Sequence, residues 1–458
     1  MTPAVRYIST RGAAPDLGFS DAVLAGLAVD GGLYVPEVWP VLDVPASGPY
    51  ADLVAAVCAP FVGDDLAPDV LAGLCRSAYA GFRHPDVVPL VDIGGGHHLL
   101  ELFHGPTLAF KDLALQLLGR LFDRILAERG ERVTIVGATS GDTGSAAIDG
   151  VLGCERVDIV ILYPEGRVSD VQRRQMTTID APNVRTVAVA GTFDDCQDLV
   201  KAMFNDADFR ARMNLSAVNS INWARVMAQV AYHVEATRRL GTIDVAVPTG
   251  NFGNVLSGWI ARRMGAPIRH LVVASNENDI LARYLVSGTM STAGVVPTLS
   301  PSMDIQVSSN FERLLFEMNG RSGARTAEQL VRFRATGRLE TDPSAFDEWI
   351  RPVFVGARAT DHDTLSMMRA MHEETGMLVD PHTAVGLKAA RDHAEAGVPM
   401  VTMATAHPAK FPDAVERATG VRPRLPEHLA DLMERPEHTA SLPNDLAAVQ
   451  RFVATAFV

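Results

Sequence analysis

A chain of 458 residues exceeds the usual domain length of about 150, so two or three structural units are expected. Hydrophobic residues at 47 % and charged residues at 21 % exclude a disordered or fibrous chain. With 41 Lys and Arg against 54 Asp and Glu, the formal charge of -13 argues against a nucleic-acid partner, while a small anion in a local pocket stays open.

Near the N-terminus, Ser20 is placed to cap a helix through Ala22, Val23, Leu24 and Leu27 that Asp30-Gly31-Gly32 ends. A second apolar pattern through Leu53, Val54, Val57 and Cys58 is expected to stop at Pro60, and a third runs from Val70 through Leu74 to Tyr79. The longest uncharged apolar run, Leu53 to Gly63, is about half of what a membrane-spanning helix needs. No apolar segment follows the first arginine of MTPAVRYISTRG, so no secretory signal is expected. Cys58, Cys75, Cys154 and Cys196 lie far apart without a Cys-x-x-Cys pair and read as reduced core residues, not as metal ligands or a disulfide framework. The expectation is a cytoplasmic enzyme with no membrane partner.

The segment HPDVVPLVDIGGGHH, with two prolines and three consecutive glycines, marks a boundary or a hairpin, and the N-terminal unit is set at residues 1–95. Beyond it, β-branched runs alternate with helical segments: VTIV (133–136), VDIVILY (157–163), VRTVAVA (184–190), IDVAV (243–247), IRHLVVAS (268–275) and MVTMAT (400–405). Runs this continuous have both faces covered, which is the pattern of parallel sheets in an α/β protein. The C-terminal DLAAVQRFVATAF reads as a docking helix.

Two strand-to-helix turns are rich in Gly, Ser, Thr and Asn. One is Ala138-Thr139-Ser140-Gly141-Asp142-Thr143-Gly144, and the other is Pro248-Thr249-Gly250-Asn251-Phe252-Gly253-Asn254. A helix start offers unpaired N–H groups and the positive end of the helix dipole, a cradle for carboxylate or phosphate. Such a turn is also an ordinary glycine connection, but two in one chain point to two anion sites on one sheet. Neither fits the P-loop or the dinucleotide fingerprint.

A third feature is Lys111. Counted by helical steps, Leu115, Leu118 and Phe122 share its face, so the lysine lies at a helix start on a side that should be buried. Burial and the dipole both favour a neutral amine, the form that Schiff-base chemistry with an aldehyde requires. A nucleophilic lysine beside a phosphate cradle suggests pyridoxal 5'-phosphate (PLP). Thr405, at the carboxyl end of MVTMAT, could then meet the pyridine nitrogen; a plain strand-terminal turn is the alternative. His407 before Pro408 reads as a loop histidine.

HGPTLAFKD, ATSGDTG, GTFDDC, NSINWAR, PTGNFGN and TAHPAKF together resemble, in order, the motifs of threonine synthase, in the long form of bacteria and fungi. The resemblance starts at GLAVDGGLYVPE (26–37) and spans nearly the whole chain. It implies the tryptophan-synthase β-like PLP fold: two parallel-sheet α/β domains with an extra, mainly helical N-terminal unit. The catalytic region would be 96–458, with a smaller subdomain near 131–235 and a larger one from the remainder.

By the same resemblance, Lys111 holds the cofactor and shuttles protons. Gly250, Asn251, Phe252, Gly253 and Asn254 hold its phosphate, Thr405 faces its ring nitrogen and Asp142 lies near its ring oxygen. Thr139, Ser140 and Thr143 would bind the substrate carboxylate. Ser220, Asn222 and Arg225 would form a second phosphate pocket, Arg225 offering a planar charged fork. His104 and Asp112 flank the lysine as tuning or capping groups. The implied reaction takes O-phospho-L-homoserine and water to L-threonine and phosphate, in a monomer or homodimer. A related phospholyase or dehydratase releasing a keto acid, and a non-catalytic PLP-binding protein, are the alternatives.

Overall fold

Uninterrupted β-branched runs need cover on both faces, and the computed structural model, which describes residues 5–457, supplies it in two separate sheets. An antiparallel pair, β1 (Tyr7–Ser9) and β2 (Tyr34–Pro36), brackets α1 (Phe19–Ala25), and α2 (Tyr50–Val62) and α3 (Pro68–Tyr79) follow. The first helix is shorter than its apolar pattern: Gly26 stops it at φ 64°, ahead of Asp30. Ser20 lies inside it and gives its backbone N–H to Asp65 Oδ2 at 2.7 Å, so Ser20 is not the cap. Pro60 does not end α2 either. It sits in the last turn, and Phe61 is fully buried against Trp223, so packing carries the helix to Val62.

The glycine-rich segment is a hairpin: β3 (Leu90–Gly94) and β4 (His97–Glu101) pair antiparallel around Gly94, Gly95 and Gly96, all at positive φ. A boundary at residue 95 would therefore split a hairpin of the larger sheet. The chain continues through α4 (Lys111–Arg129), β5 (Val133–Ala138), α5 (Asp142–Gly150), β6 (Val157–Pro164), α6 (Asp170–Thr177) and β7 (Val184–Ala190). Next come α7 (Phe193–Asn205), α8 (Ala207–Arg212), β8 (Leu215–Ser216), α9 (Trp223–Leu240), β9 (Ile243–Pro248), α10 (Gly253–Met264) and β10 (Ile268–Ser275). The remaining strands are β11 (Thr289–Ser291), β12 (Arg338–Glu340), β13 (Phe354–Arg358), β14 (Met400–Ala404) and β15 (Ala440–Pro443).

The smaller sheet has the order β15-β7-β6-β5-β8 and is parallel throughout; the larger, β13-β10-β9-β14-β4-β3, is parallel except for edge strand β3. All six β-branched runs are strands. The smaller sheet recruits β15 from far outside residues 131–235, and helix Leu446–Thr455 buries Val449 and Val453 beside Val187 and Val189.

One helix crossing bears on the site. A Cβ on Gly119 of α4 would lie 1.9 Å from the Gly150 carbonyl oxygen of α5, and one on Gly150 would lie 2.6 Å from the Leu115 oxygen. Lys111 and Asp142 begin these two helices, so the glycine contact sets how closely amine and carboxylate approach. We expect Gly119→Ala to destabilise the fold by about 3 kcal/mol through overpacking, read as a lower thermal unfolding midpoint. Gly73→Ala, in α3 where an added Cβ meets nothing within 4 Å, should hold or raise the midpoint.

Candidate active site

The segment ahead of α4 is stitched in place on two sides. The fully buried Asp112 accepts from the Thr107 amide at 2.9 Å and the Thr107 hydroxyl at 2.5 Å, closing the Gly105–Leu108 turn. Burial pushes the Asp112 carboxyl up to about 7, against the pull of Thr107. Asp112 thus caps the loop. On the other side, the Phe110 amide donates to the Thr405 carbonyl at 2.9 Å and the His407 amide to the Leu108 carbonyl at 3.0 Å. These bonds tie the start of α4 to the end of β14. His104 is engaged by Glu101 at 2.7 Å, and His407 accepts at Nδ1 from the Ala409 amide.

Lys111 is 9 % exposed, and Leu115, Leu118 and Phe122 on its face are buried, as the helical spacing predicts. Its Nζ lies 3.3 Å from Asp142 Oδ2 and 3.4 Å from Ser302 Oγ. Burial lowers the Lys111 pKa; Asp142 opposes that, and Lys410 and Arg225 add to it. Asp142 is buried as well. Its Oδ1 accepts from Gln172 Nε2 at 2.9 Å and faces Lys410 Nζ at 3.0 Å, while Oδ2 accepts from Ser302 Oγ at 3.2 Å. Burial alone would raise its carboxyl, but Lys111, Lys410, His382 and Gln172 hold it well below the usual carboxylate range.

The turn beginning at Gly250 adjoins this cluster. A Cβ on Gly250 would lie 2.6 Å from the Ser302 carbonyl oxygen, so Ser302 touches both the turn and Lys111. Phe252 takes the left-handed conformation at φ 64° and α10 starts immediately after it. The buried Asn254 accepts at Oδ1 from His233 Nε2 at 3.0 Å, leaving its Nδ2 without an acceptor in the protein. The first helical amides of α10 open onto the same place.

The other glycine turn is built differently. Thr139 Oγ1 accepts from the Gly141 and Gly144 amides, both at 2.9 Å, so this hydroxyl shapes the turn. Ser140 is exposed and Thr143 half-buried beside it. Gly141 is required at φ 137°, where a Cβ would also strike the Gln172 side chain.

Arg225, on α9, is 3 % exposed, and its Nε and Nη1 have no hydrogen-bond partner in the protein. Burial lowers its pKa to about 10. An unpaired buried guanidinium is costly unless an anion meets it. Asn222, expected beside it as a ligand, is occupied otherwise: Oδ1 caps α9 through the Ala224 amide at 3.0 Å, and Nδ2 donates to the Val23 carbonyl at 2.8 Å. Ser220 keeps a half-buried hydroxyl, and its carbonyl accepts from Asn310.

Thr405 is buried, and its amide donates to Thr383 Oγ1 at 3.3 Å; Thr383 in turn donates to Asp380. Asp380 also accepts from His382 Nδ1 at 2.9 Å, and His382 Nε2 accepts from the Ser302 amide at 3.3 Å. Sequence reasoning missed Ser302, Gln172, His382 and Lys410. Only Lys410 carried a signal, through its place in TAHPAKF.

Residues 6–79 match the family described as threonine synthase N terminus, 98–346 that of pyridoxal-phosphate dependent enzymes, and 383–453 that of threonine synthase, C-terminal. The threonine synthase of Pseudomonas aeruginosa is 52 % identical over 461 residues, covering 98 % of both chains. The crystal structure of a PLP-bound threonine synthase from Brucella melitensis superposes with a TM-score of 0.96 at 49 % identity, covering 99 % of each chain. The threonine synthase structure from yeast gives 0.93 at 38 % identity over 98 % of each.

If Arg225 is built to meet an anion, Arg225→Met should raise the stability of the ligand-free protein by about 1–3 kcal/mol, because it removes an unpaired buried donor set. With the cradle at the Gly250 turn filled by PLP, inorganic phosphate should raise the thermal midpoint of the wild type and leave that of the variant unmoved. Differential scanning calorimetry with and without phosphate checks both.

Proposed function

The chain belongs to the threonine synthase family, and we propose that it converts O-phospho-L-homoserine and water into L-threonine and phosphate. It is a PLP-dependent lyase. The residues fit the cofactor: a buried amine at Lys111, a helix N-terminus and a free buried Asn254 amide for the phosphate, and the Thr405 hydroxyl for the ring nitrogen. When bound, PLP supplies an electron sink for negative charge at the substrate α-carbon. Thr405 would offer the ring nitrogen a hydroxyl, which stabilises positive charge there less than a carboxylate would.

Lys111 is the base that takes the α-proton, and its desolvated surroundings favour the neutral amine this needs. Ser140 and Thr143, at the start of α5, receive the substrate carboxylate, while Thr139 holds the turn in shape. Arg225 receives the substrate phosphate: its unmatched donors hold the group before the Cγ–O bond breaks and the phosphate after it leaves. Net chemistry then requires a proton at Cγ and the hydroxyl of water at Cβ. Gly250 to Asn254 would hold the cofactor phosphate, and Asp142, beside Lys111, would lie near its ring oxygen. The observation that carries this reading is the Lys111 amine, out of bulk water and joined through Ser302 to the Gly250 turn.

No helix among the described residues is long and apolar enough to cross a membrane, and we place the enzyme in the cytoplasm, acting on a small molecule.

Incubated with O-phospho-L-homoserine, the purified protein should yield threonine and phosphate in equal amounts. Accumulation of 2-oxobutanoate instead would favour a phospholyase. Borohydride should bleach the yellow holoprotein and leave the cofactor on the peptide containing Lys111. Lys111→Ala should escape labelling and lose turnover by about a thousandfold or more.

A further inference from the structure

Lys410 has no part in that scheme, yet it is fully buried and lies against the reactive centre. Its Nζ is 2.7 Å from the Thr107 carbonyl, 3.0 Å from Gln175 Oε1 and 3.0 Å from Asp142 Oδ1. Three acceptors for three N–H bonds is the environment of an ammonium, since a neutral amine would turn a lone pair toward one of them. Lys111 is held less tightly, by contacts of 3.3 and 3.4 Å.

The charges do not balance. Facing Lys111 are Asp142 from α5, Ser302 from the turn Pro301–Met303, Lys410 from the turn Pro408–Lys410 and, farther off, Arg225 from α9. Behind Asp142 lie Gln172 and the His382 ring, which accepts at Nε2 and donates at Nδ1 to Asp380. On its own helix, Asp112 is turned to Thr107. One carboxylate therefore serves two amines, with a guanidinium in range. The amine with the longer contacts is the one that gives up its proton at least cost.

We propose that Lys410 is a positioning residue: by occupying Asp142 it keeps that carboxylate from locking Lys111 into an ion pair, so that Lys111 stays free to act as a base. This rests on Lys111 being the reactive amine, but the test does not need turnover.

The full-length protein, resolved from PLP, is pulse-labelled with acetic anhydride across a pH series, and acetylation of Lys111 is followed by peptide mass spectrometry. In Lys410→Met, Asp142 falls to Lys111 alone and the repulsion between the amines disappears. The half-labelling pH of Lys111 should then rise by one unit or more, about tenfold slower labelling on the acid side. Lys410→Arg keeps the charge and should stay near the wild-type midpoint, while Asp142→Asn should move it downward. In the holoenzyme, the acid limb of kcat, which reports the enzyme–substrate complex in which the Lys111 amine is free, should shift upward in Lys410→Met. A Lys410→Met protein that unfolds cooperatively but labels with the wild-type midpoint overturns the proposal, because a packing role alone would lower stability and leave that midpoint in place. Should Lys410→Met fail to fold, Lys410→Gln, neutral but still a donor, takes its place with the same two outcomes. If borohydride trapping misses Lys111 while the midpoint still moves, the functional reading fails and the coupling of the two lysines stands.

Discussion

A single carboxylate shared by two buried amines is the constraint around which this molecule is arranged. Removing Lys111, Lys410 and Asp142 from water costs several kcal/mol per ion, and the mutual contacts offset that only where geometry is close. Here Asp142 has an amine and a neutral donor on each oxygen: Lys410 and Gln172 on one, Lys111 and Ser302 on the other. Each partner comes from a different part of the chain. The cluster can therefore form only when both sheets and their crossing helices are in place, so the chemistry and the tertiary fold share one set of contacts.

The backbone meets this requirement with missing side chains. Gly119 and Gly150 let α4 and α5 cross at carbonyl contact, Gly141 lets its turn pass over Gln172, and Gly250 lets the turn before α10 reach the Ser302 carbonyl. At each place a methyl group would push apart elements whose ends carry Lys111, Asp142 or the first amides of α10.

The strands were the most legible part of the chain, because six β-branched runs with both faces buried leave no competing pattern. Lys111 was legible for the opposite reason: a cation on an otherwise apolar helical face is a conflict that composition alone cannot remove. Legibility ended where partners are distant in sequence. Ser302 and His382 sit in a turn and at a helix start with no periodicity, so nothing local distinguishes them from ordinary loop residues, and Lys410 is marked only by its place in TAHPAKF. Asn222 suits both a ligand and a cap by type, and the Val23 and Ala224 contacts show it capping α9. The glycine run at 94–96 likewise suited a boundary and a hairpin, and the pairing of β3 with β4 resolved it.

The N-terminal unit is part of the same construction. Glu312 accepts from the Thr10 hydroxyl at 2.6 Å and pairs with Arg11 at 2.9 Å, fastening the segment after β1 to the helix Phe311–Met318. The next residue, Arg313, is buried and donates to the Tyr34 carbonyl of β2 at 3.0 Å, to Asn310 Oδ1 at 2.5 Å and to the Ile221 carbonyl at 2.7 Å. Asn310 then donates to the carbonyls of Ser220 at 2.9 Å and Asn251 at 3.1 Å. One side of this short helix start thus grips β2 and the segment after β1, while the other grips the turn before Arg225 and the turn at Gly250. The N-terminal unit is bonded to the residues that space the turn before Arg225 and the turn at Gly250, and cannot shift without pulling on both.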